Sequence, residues 1–197
     1  MQTYLARSTF IDFDAPNVSA LARELAQGVG EEEELVRRCF EFVRDQIKHS
    51  SDFKLNPVTC RASDVLRHGT GYCYAKSHLL AALLRAHGVP TGLCYQRLSV
   101  GESGPPYCLH GLNAVYLQKH GWYRMDARGN KAGVDAQFCP PKEQLAFAIR
   151  ETAERDLSEI WAEPLPVVIH ALHAHPDFAS VLAHLPDVML VGTSHNP

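Results

Sequence analysis

Apolar or small side chains recur at Cys73, Ser77, Leu80 and Leu84, and again at Leu79, Leu83 and Ala86. That spacing predicts a helix with a wide apolar face, stopped by Gly88 and Pro90 and entered through Gly69-Thr70-Gly71. A second helix is expected from Glu31 to about Lys48, with Leu35, Cys39, Phe42, Val43 and Ile47 on its core face. Its acidic run Glu31–Glu34 reads as a first turn matched to the positive end of the helix dipole, rather than as an interaction tail. Lys48 and His49 would then close the helix with the right sign. Shorter helices are expected over Ser19–Gln27, capped by Asn17 or Ser19, and over Ala62–Arg67.

Strand formers dominate elsewhere. Gln2–Phe13 reads as an opening strand, and Ser50–Thr59 as a loop. Thr91–Val100, Tyr107–Leu117 and Trp122–Asp126 read as three strands, the last two joined by a hairpin at 118–121. Arg128–Gln137 reads as a turn with a short strand. Pro140-Pro141 is expected to open a helix over Lys142–Asp156, followed by helical pieces near Val167–His173 and Phe178–His184. Helices, then a central helix, then a meander is an α+β order rather than a βαβ alternation.

Composition narrows the class. The 197 residues suit one domain, with 46% hydrophobic and 21% charged side chains and a net charge of −3. No basic stripe marks a nucleic-acid surface, and no stretch is long and apolar enough to span a membrane. The N-terminal residues lack a basic region followed by an apolar run, so a cytoplasmic location is expected. The six cysteines form no CxxC pair, and most are expected as buried small hydrophobes.

Cys73 changes that bland picture. A thiol at a helix start sits among unpaired N–H groups at the positive end of the dipole, a setting for a nucleophile. Its backbone N–H is the natural oxyanion donor, and the side chains of Tyr72 and Tyr74 are nearby candidates for a second. His110 lies in the first half of one strand of the expected hairpin and Asp126 closes the other. If paired residue numbers sum to an even value, both project from one face, and a sum near 238 makes them diagonal neighbours; an odd sum separates them. Cys73 as nucleophile, His110 as acid and base, and Asp126 as its orienting group form a candidate triad.

The stretch from Gly69 to Pro90 resembles the nucleophile helix of the transglutaminase-like superfamily. His110 with Val115-Tyr116, then Gly121-Trp122 and Asp126, is similar to the family's histidine and aspartate segments in order and spacing. Phe42–Lys48 and Ala62–Leu66 resemble the preceding helices. The resemblance implies a papain-like α+β fold, its nucleophile helix packed on an antiparallel sheet. It covers roughly Glu33 to Asp126; with the length and even composition of the chain, one domain is expected over 1–197, with a catalytic core of about 33–140 and a C-terminal helical extension over 141–197. The resemblance further implies thiol acyl transfer on a peptide or protein-like amide through a thioester, without metal or organic cofactor, as in a peptidase, deamidase or transglutaminase. The family often has tryptophan where Leu112 stands, an acid at Ala114 and proline at Ala127. Those positions motivate the alternative of a non-catalytic interaction module.

The remaining candidates carry blander readings. Tyr72, Tyr74 and Trp122 are candidates to line the cleft, though aromatic packing explains them equally. Cys94, Cys108 and Cys139 read as structural. No second pair completes a zinc site with Cys108 and His110, and His170, His173 and His175 read as solvated. Arg124 and Arg128 read as ion-pair partners rather than anion binders.

Overall fold

The computed structural model describes residues 1–189. Two early helices, α1 (Pro16–Leu25) and α2 (Glu32–Gln46), are followed by a two-residue strand β1 (Lys48–His49) and the short α3 (Ser50–Phe53). Then come α4 (Ala62–His68), β2 (Thr70–Gly71) and α5 (Cys73–Arg85). All 13 residues of α5 are buried, because α1, α2 and α4 cover it on one side and a sheet covers it on the other. That sheet runs in the order β5-β4-β3-β8 and is antiparallel throughout, with β3 at Thr91–Ser99, β4 at Tyr107–Leu117, β5 at Gly121–Met125 and β8 at Arg155–Asp156. A separate hairpin pairs β6 (Gln137–Cys139) with β7 (Lys142–Gln144), and α6 (Pro166–Ala174) and α7 (Phe178–Ala183) follow. The α+β expectation, with the cysteine helix packed on an antiparallel sheet, is met.

Polar side chains inside the core are spent on backbone ends. Lys76 donates from Nζ to the carbonyls of Ile47 and Arg44, which the end of α2 leaves without intrahelical donors. Burial, with Arg128 nearby, lowers its pKa to about 7. Arg85 donates to the carbonyls of Thr91, Ala6 and Ala162, tying the end of α5 to both flanking segments.

Several expectations need correction. Gln2–Phe13 is not a strand. Only Gln2–Leu5 is regular, as one 3-10 turn. Ser8 Oγ accepts from the N–H groups of Phe10 and Ile11, and Asp12 accepts from Ser63, so side chains meet the local backbone needs. The edge of β3 is taken by β8 and by a bridge from Leu93 to Trp161. Helix α1 begins at Pro16, and neither Asn17 nor Ser19 caps it; Asn17 instead donates to the Ser63 carbonyl. Helix α2 ends at Gln46, and Lys48-His49 pair in parallel with Thr70-Gly71. On its core face Val36 and Phe40 are buried with Cys39 and Val43, whereas Leu35 and Phe42 are only half-buried.

The largest departure is residues 142–156, which form no helix. Pro140-Pro141 occupy the β6–β7 turn, Glu143 pairs with Arg124, and Gln144 bonds Asp135. These long-range partners draw the segment out along the far face of the sheet. A lone helix of that length is marginal without a packed face. The end of the expected extension, 190–197, lies outside the described residues.

Candidate active site

Gly69 ends α4 in the left-handed region, at φ 64°, where a Cβ is unfavourable. The chain then runs two residues beside β1, pairing Gly71 with His49, and enters α5 with Cys73 as its first helical residue. The Cys73 N–H therefore belongs to the unpaired first turn at the positive end of the dipole. Its side chain is buried except at one opening, with 7% of the residue exposed, and it lines a cavity of about 370 Å³.

Strands β4 and β5 pair Asn113 with Met125 and Ala114 with Arg124, an even register. His110 and Asp126 consequently fall on one face, and His110 Nε2 lies 2.7 Å from Asp126 Oδ2. Asp126 is fully buried and accepts from the Arg128 N–H at 3.1 Å and the Ala146 N–H at 3.1 Å. Burial alone would raise its pKa, but His110 and those donors hold it below the ordinary carboxylate value. Burial pulls His110 down, while Asp126 and then Cys73 lift it further, to about 10. With Nε2 engaged, Nδ1 is the nitrogen left for the sulfur.

The helix and the histidine strand meet through a glycine. The Gly111 N–H donates to Cys73 Sγ at 3.4 Å. A Cβ on Gly111 would stand 2.9 Å from the Tyr74 ring and 3.1 Å from its Cα, so only glycine admits this approach. Asn113 reinforces it by donating to the Ser77 carbonyl of α5 at 3.0 Å.

Tyr72 and Tyr74 both line the cavity. Their hydroxyls point elsewhere, Tyr72 donating to the Phe178 carbonyl and Tyr74 to that of Leu109. Neither hydroxyl is the second oxyanion donor considered above. Trp122 does not line the cavity: it packs edge-on to Tyr4 and Tyr116 at centroid distances of 4.8 and 5.7 Å. The cleft role is thus corrected for Trp122, because its position on β5 lies at the other end of the sheet.

Sequence reasoning missed Ala146 and Phe147. Ala146 steadies the carboxylate, and the Phe147 ring stands edge-on to the His110 imidazole at 5.0 Å. Their only signal was a mixed apolar run that equally suited a helix. It also missed His49, Asp52 and Lys131, which join the cavity wall through the β1–β2 pairing and the turn after Asp126. Leu182 and Leu185 supply an apolar wall on the other side. The bland readings stand for the arginines, Arg124 pairing with Glu143 and Asp156, and Arg128 with Asp52. Burial pushes the thiols of Cys94 and Cys108 up to about 12. His170 and His173 are exposed, and His175 stacks on His184. Among the described residues no three His, Cys, Asp or Glu side chains are grouped to hold a metal ion, and no helix is long and apolar enough to cross a membrane.

Comparison with known proteins gives a family. The model of the transglutaminase-like superfamily matches residues 19–127, more than half of the chain. No curated protein matches. Among solved structures, a protein provisionally described as a cysteine protease from Cytophaga hutchinsonii is similar at 21% identity and TM-score 0.49, covering 64% of this chain and 40% of its own. The periplasmic domain of TgpA from Pseudomonas aeruginosa is similar at 22% identity and TM-score 0.49, covering 64% of this chain and 46% of its own. The chain thus spans less than half the length of either.

Proposed function

The chain belongs to the transglutaminase-like superfamily, and on that footing we propose that it is a cysteine-dependent acyl-transfer enzyme acting on amide bonds of peptide or protein substrates. The observation that carries the reading is the junction of three chain segments. His110 is held by Asp126 at 2.7 Å, and the next residue, Gly111, donates to Cys73 Sγ at the wall of an open cavity.

The chemistry follows from those contacts. Cys73 Sγ attacks the amide carbonyl carbon, a C–S bond forms, and the carbonyl electron pair moves to oxygen. The Cys73 backbone N–H faces that oxyanion from the helix start. His110 passes its Nδ1 proton to the departing nitrogen as the C–N bond breaks, leaving a thioester. Neutral His110 then takes a proton from water or an incoming amine, which attacks the thioester and releases the sulfur. Asp126 keeps the Nε2 proton in place and steadies the imidazolium. Water as the acceptor makes a peptidase or deamidase, and an amine makes a transglutaminase.

The alternative of a non-catalytic module finds no particular support. Leu112 and Ala114 are fully buried in a small apolar cluster with Cys94, and Ala127 is 2% exposed. All three positions sit in packed apolar surroundings. The test is alkylation by iodoacetamide, followed by mass spectrometry, together with a panel of acyl-donor probes. Selective labelling of Cys73 below about pH 8, the ordinary range of a free thiol, lost in His110→Ala, supports the proposal. Labelling of Cys73 no faster than that of the exposed Cys139, with no probe turned over in a Cys73-dependent way, would sink it.

A further inference from the structure

A second hollow adjoins the cavity beside Cys73. His49, Asp52 and Lys131 line both, and the charged wall of the second, of about 360 Å³, is completed by Arg44, Asp45 and Lys48. Both carboxylates of this wall are already engaged by arginines. Arg44 grips Asp45 through two bonds of 2.7 and 2.8 Å, and Arg128 grips Asp52 through two of 2.7 and 3.1 Å. Two ammonium groups are left over. Lys131 Nζ reaches Asp52 Oδ1 at 2.7 Å but shares that acid with Arg128, and its side chain is 47% exposed. Lys48 meets no carboxylate among the described residues, and its Nζ lies 4.8 Å over the Phe53 ring. His49 adds no charge to the balance: burial, and then Arg128, push its pKa well below that of a free ring.

Within the hollow Arg44, Lys48 and Lys131 outnumber Asp45 and Asp52 by one positive charge, and Arg128, which grips Asp52 from the adjoining cavity, adds a second. A wall of this sign beside the cavity of Cys73 attracts a negatively charged substituent and repels a positive one. Lysine ammonium groups on exposed stems suit a carboxylate approached from solvent. We propose that this second hollow is a subsite for a carboxylate of the substrate, close to the reacting amide, with Lys48 and Lys131 as its specificity-determining residues. The inference rests on Cys73 being the nucleophile, and it names the class of substrate that this nucleophile meets: an acidic peptide, through either an acidic side chain or a chain terminus.

Three matched alkylating probes test it on the intact protein. N-iodoacetyl-isoglutamine carries a side-chain carboxylate, N-iodoacetyl-glutamine carries an α-carboxylate, and N-iodoacetyl-glutamine amide carries neither. Each forms a C–S bond with Cys73 and releases iodide. The readout is the ratio of an anionic to the neutral rate at Cys73, which cancels general effects of a variant on the thiol. At low ionic strength the ratio for one anionic probe is expected to fall about threefold in each of Lys48→Ala and Lys131→Ala, and to shrink on adding salt. Lys131→Glu should lower it further than Lys131→Ala. Which anionic probe shows the effect tells a side-chain carboxylate from a terminus. Ratios unchanged in all three variants would overturn the subsite and leave two solvated lysines. If the neutral probe labels wild-type Cys73 no faster than Cys139, the nucleophile itself is wrong, and the subsite falls with it.

Discussion

The backbone N–H of Ala146 donates to Oδ2 of Asp126 at 3.1 Å, the same oxygen that holds the His110 ring. A segment without regular structure thus aims the buried carboxylate, and a single oxygen joins the sheet, the histidine and the chain that covers them. Replacement by asparagine turns one acceptor into a donor that faces either a backbone N–H or the imidazole. Asp126→Asn is expected to cut Cys73-dependent acyl turnover by about 10⁴-fold. It should also cost about 1–3 kcal/mol of stability through the unsatisfied group. Probe kinetics and urea unfolding read the two effects separately. Turnover equal to wild type would reduce Asp126 to a structural acid.

Gly111 sets how close α5 can come to β4. Gly111→Ala places a methyl 2.9 Å from the Tyr74 ring and 3.1 Å from the Tyr74 Cα. The ring can turn, but the helix backbone must retreat. Overpacking of this kind costs about 1–3 kcal/mol, and the retreat carries Cys73 away from His110. Urea unfolding and iodoacetamide labelling of Cys73 should both worsen. Unaltered labelling in the folded variant would show that the contact is not what holds the thiol beside the ring.

The chain after α7 forms part of the cleft. The Leu109 N–H donates to the Pro186 carbonyl at 2.7 Å, and Arg97 grips Asp187 through two bonds of 2.7 Å. Leu185 is held against the cavity as a result. Asp187→Ala should release this wall at a cost of about 1 kcal/mol or less, as for a partly exposed ion pair. A bulky maleimide is then expected to gain on iodoacetamide in labelling Cys73. No change in their relative rates would mean that the wall does not restrict entry.

His78 shapes the acid side of stability. Its Nδ1 lies 2.7 Å from the Cys60 carbonyl, so that nitrogen carries the proton. Burial lowers its pKa from 6.5 to about 4. The unfolded chain therefore takes up a proton that the native state refuses, and stability falls as pH drops from 6.5 toward 4. The expected slope for this one group is about 1.4 kcal/mol per pH unit. In His78→Gln, unfolding followed across that range should lose this slope; an unchanged slope would assign it to other groups.

His110 has the opposite sign. Its native pKa, about 10, stands above the 6.5 of a free ring. Its contribution is complete below 6.5 and disappears as pH rises through 10. Unfolding of wild type and His110→Gln should converge over that alkaline range. A gap that stays constant would place the imidazole proton elsewhere.

The central helix, the three long strands and the order of Cys73, His110 and Asp126 were all legible, because each rests on local spacing. The spacing of its apolar positions marked α5 as a helix, although the burial of all 13 of its residues, Lys76 and Arg85 included, exceeds what one apolar face implies. Even the choice between one face and two for His110 and Asp126 reduced to the parity of a single register, which Asn113 and Met125 settle. Residues 142–156 were not legible. Glu143, Gln144, Ala146 and Phe147 answer to Arg124, Asp135, Asp126 and His110, and nothing in their own spacing names those partners. Trp122 failed for a related reason, since proximity to Asp126 along β5 does not say which end of the sheet opens to the cleft.

Periodicity reports which side of an element avoids water, and turn residues report where it stops; both are properties of short windows, so the chain order reveals the elements and the chemical groups they carry. How near α5 lies to β4, which loop supplies the Ala146 amide, and which charges gather beyond Asp52 depend on contacts between residues far apart in the chain. Those contacts form only when competing burials and hydrogen bonds are satisfied together, and no local window contains that balance.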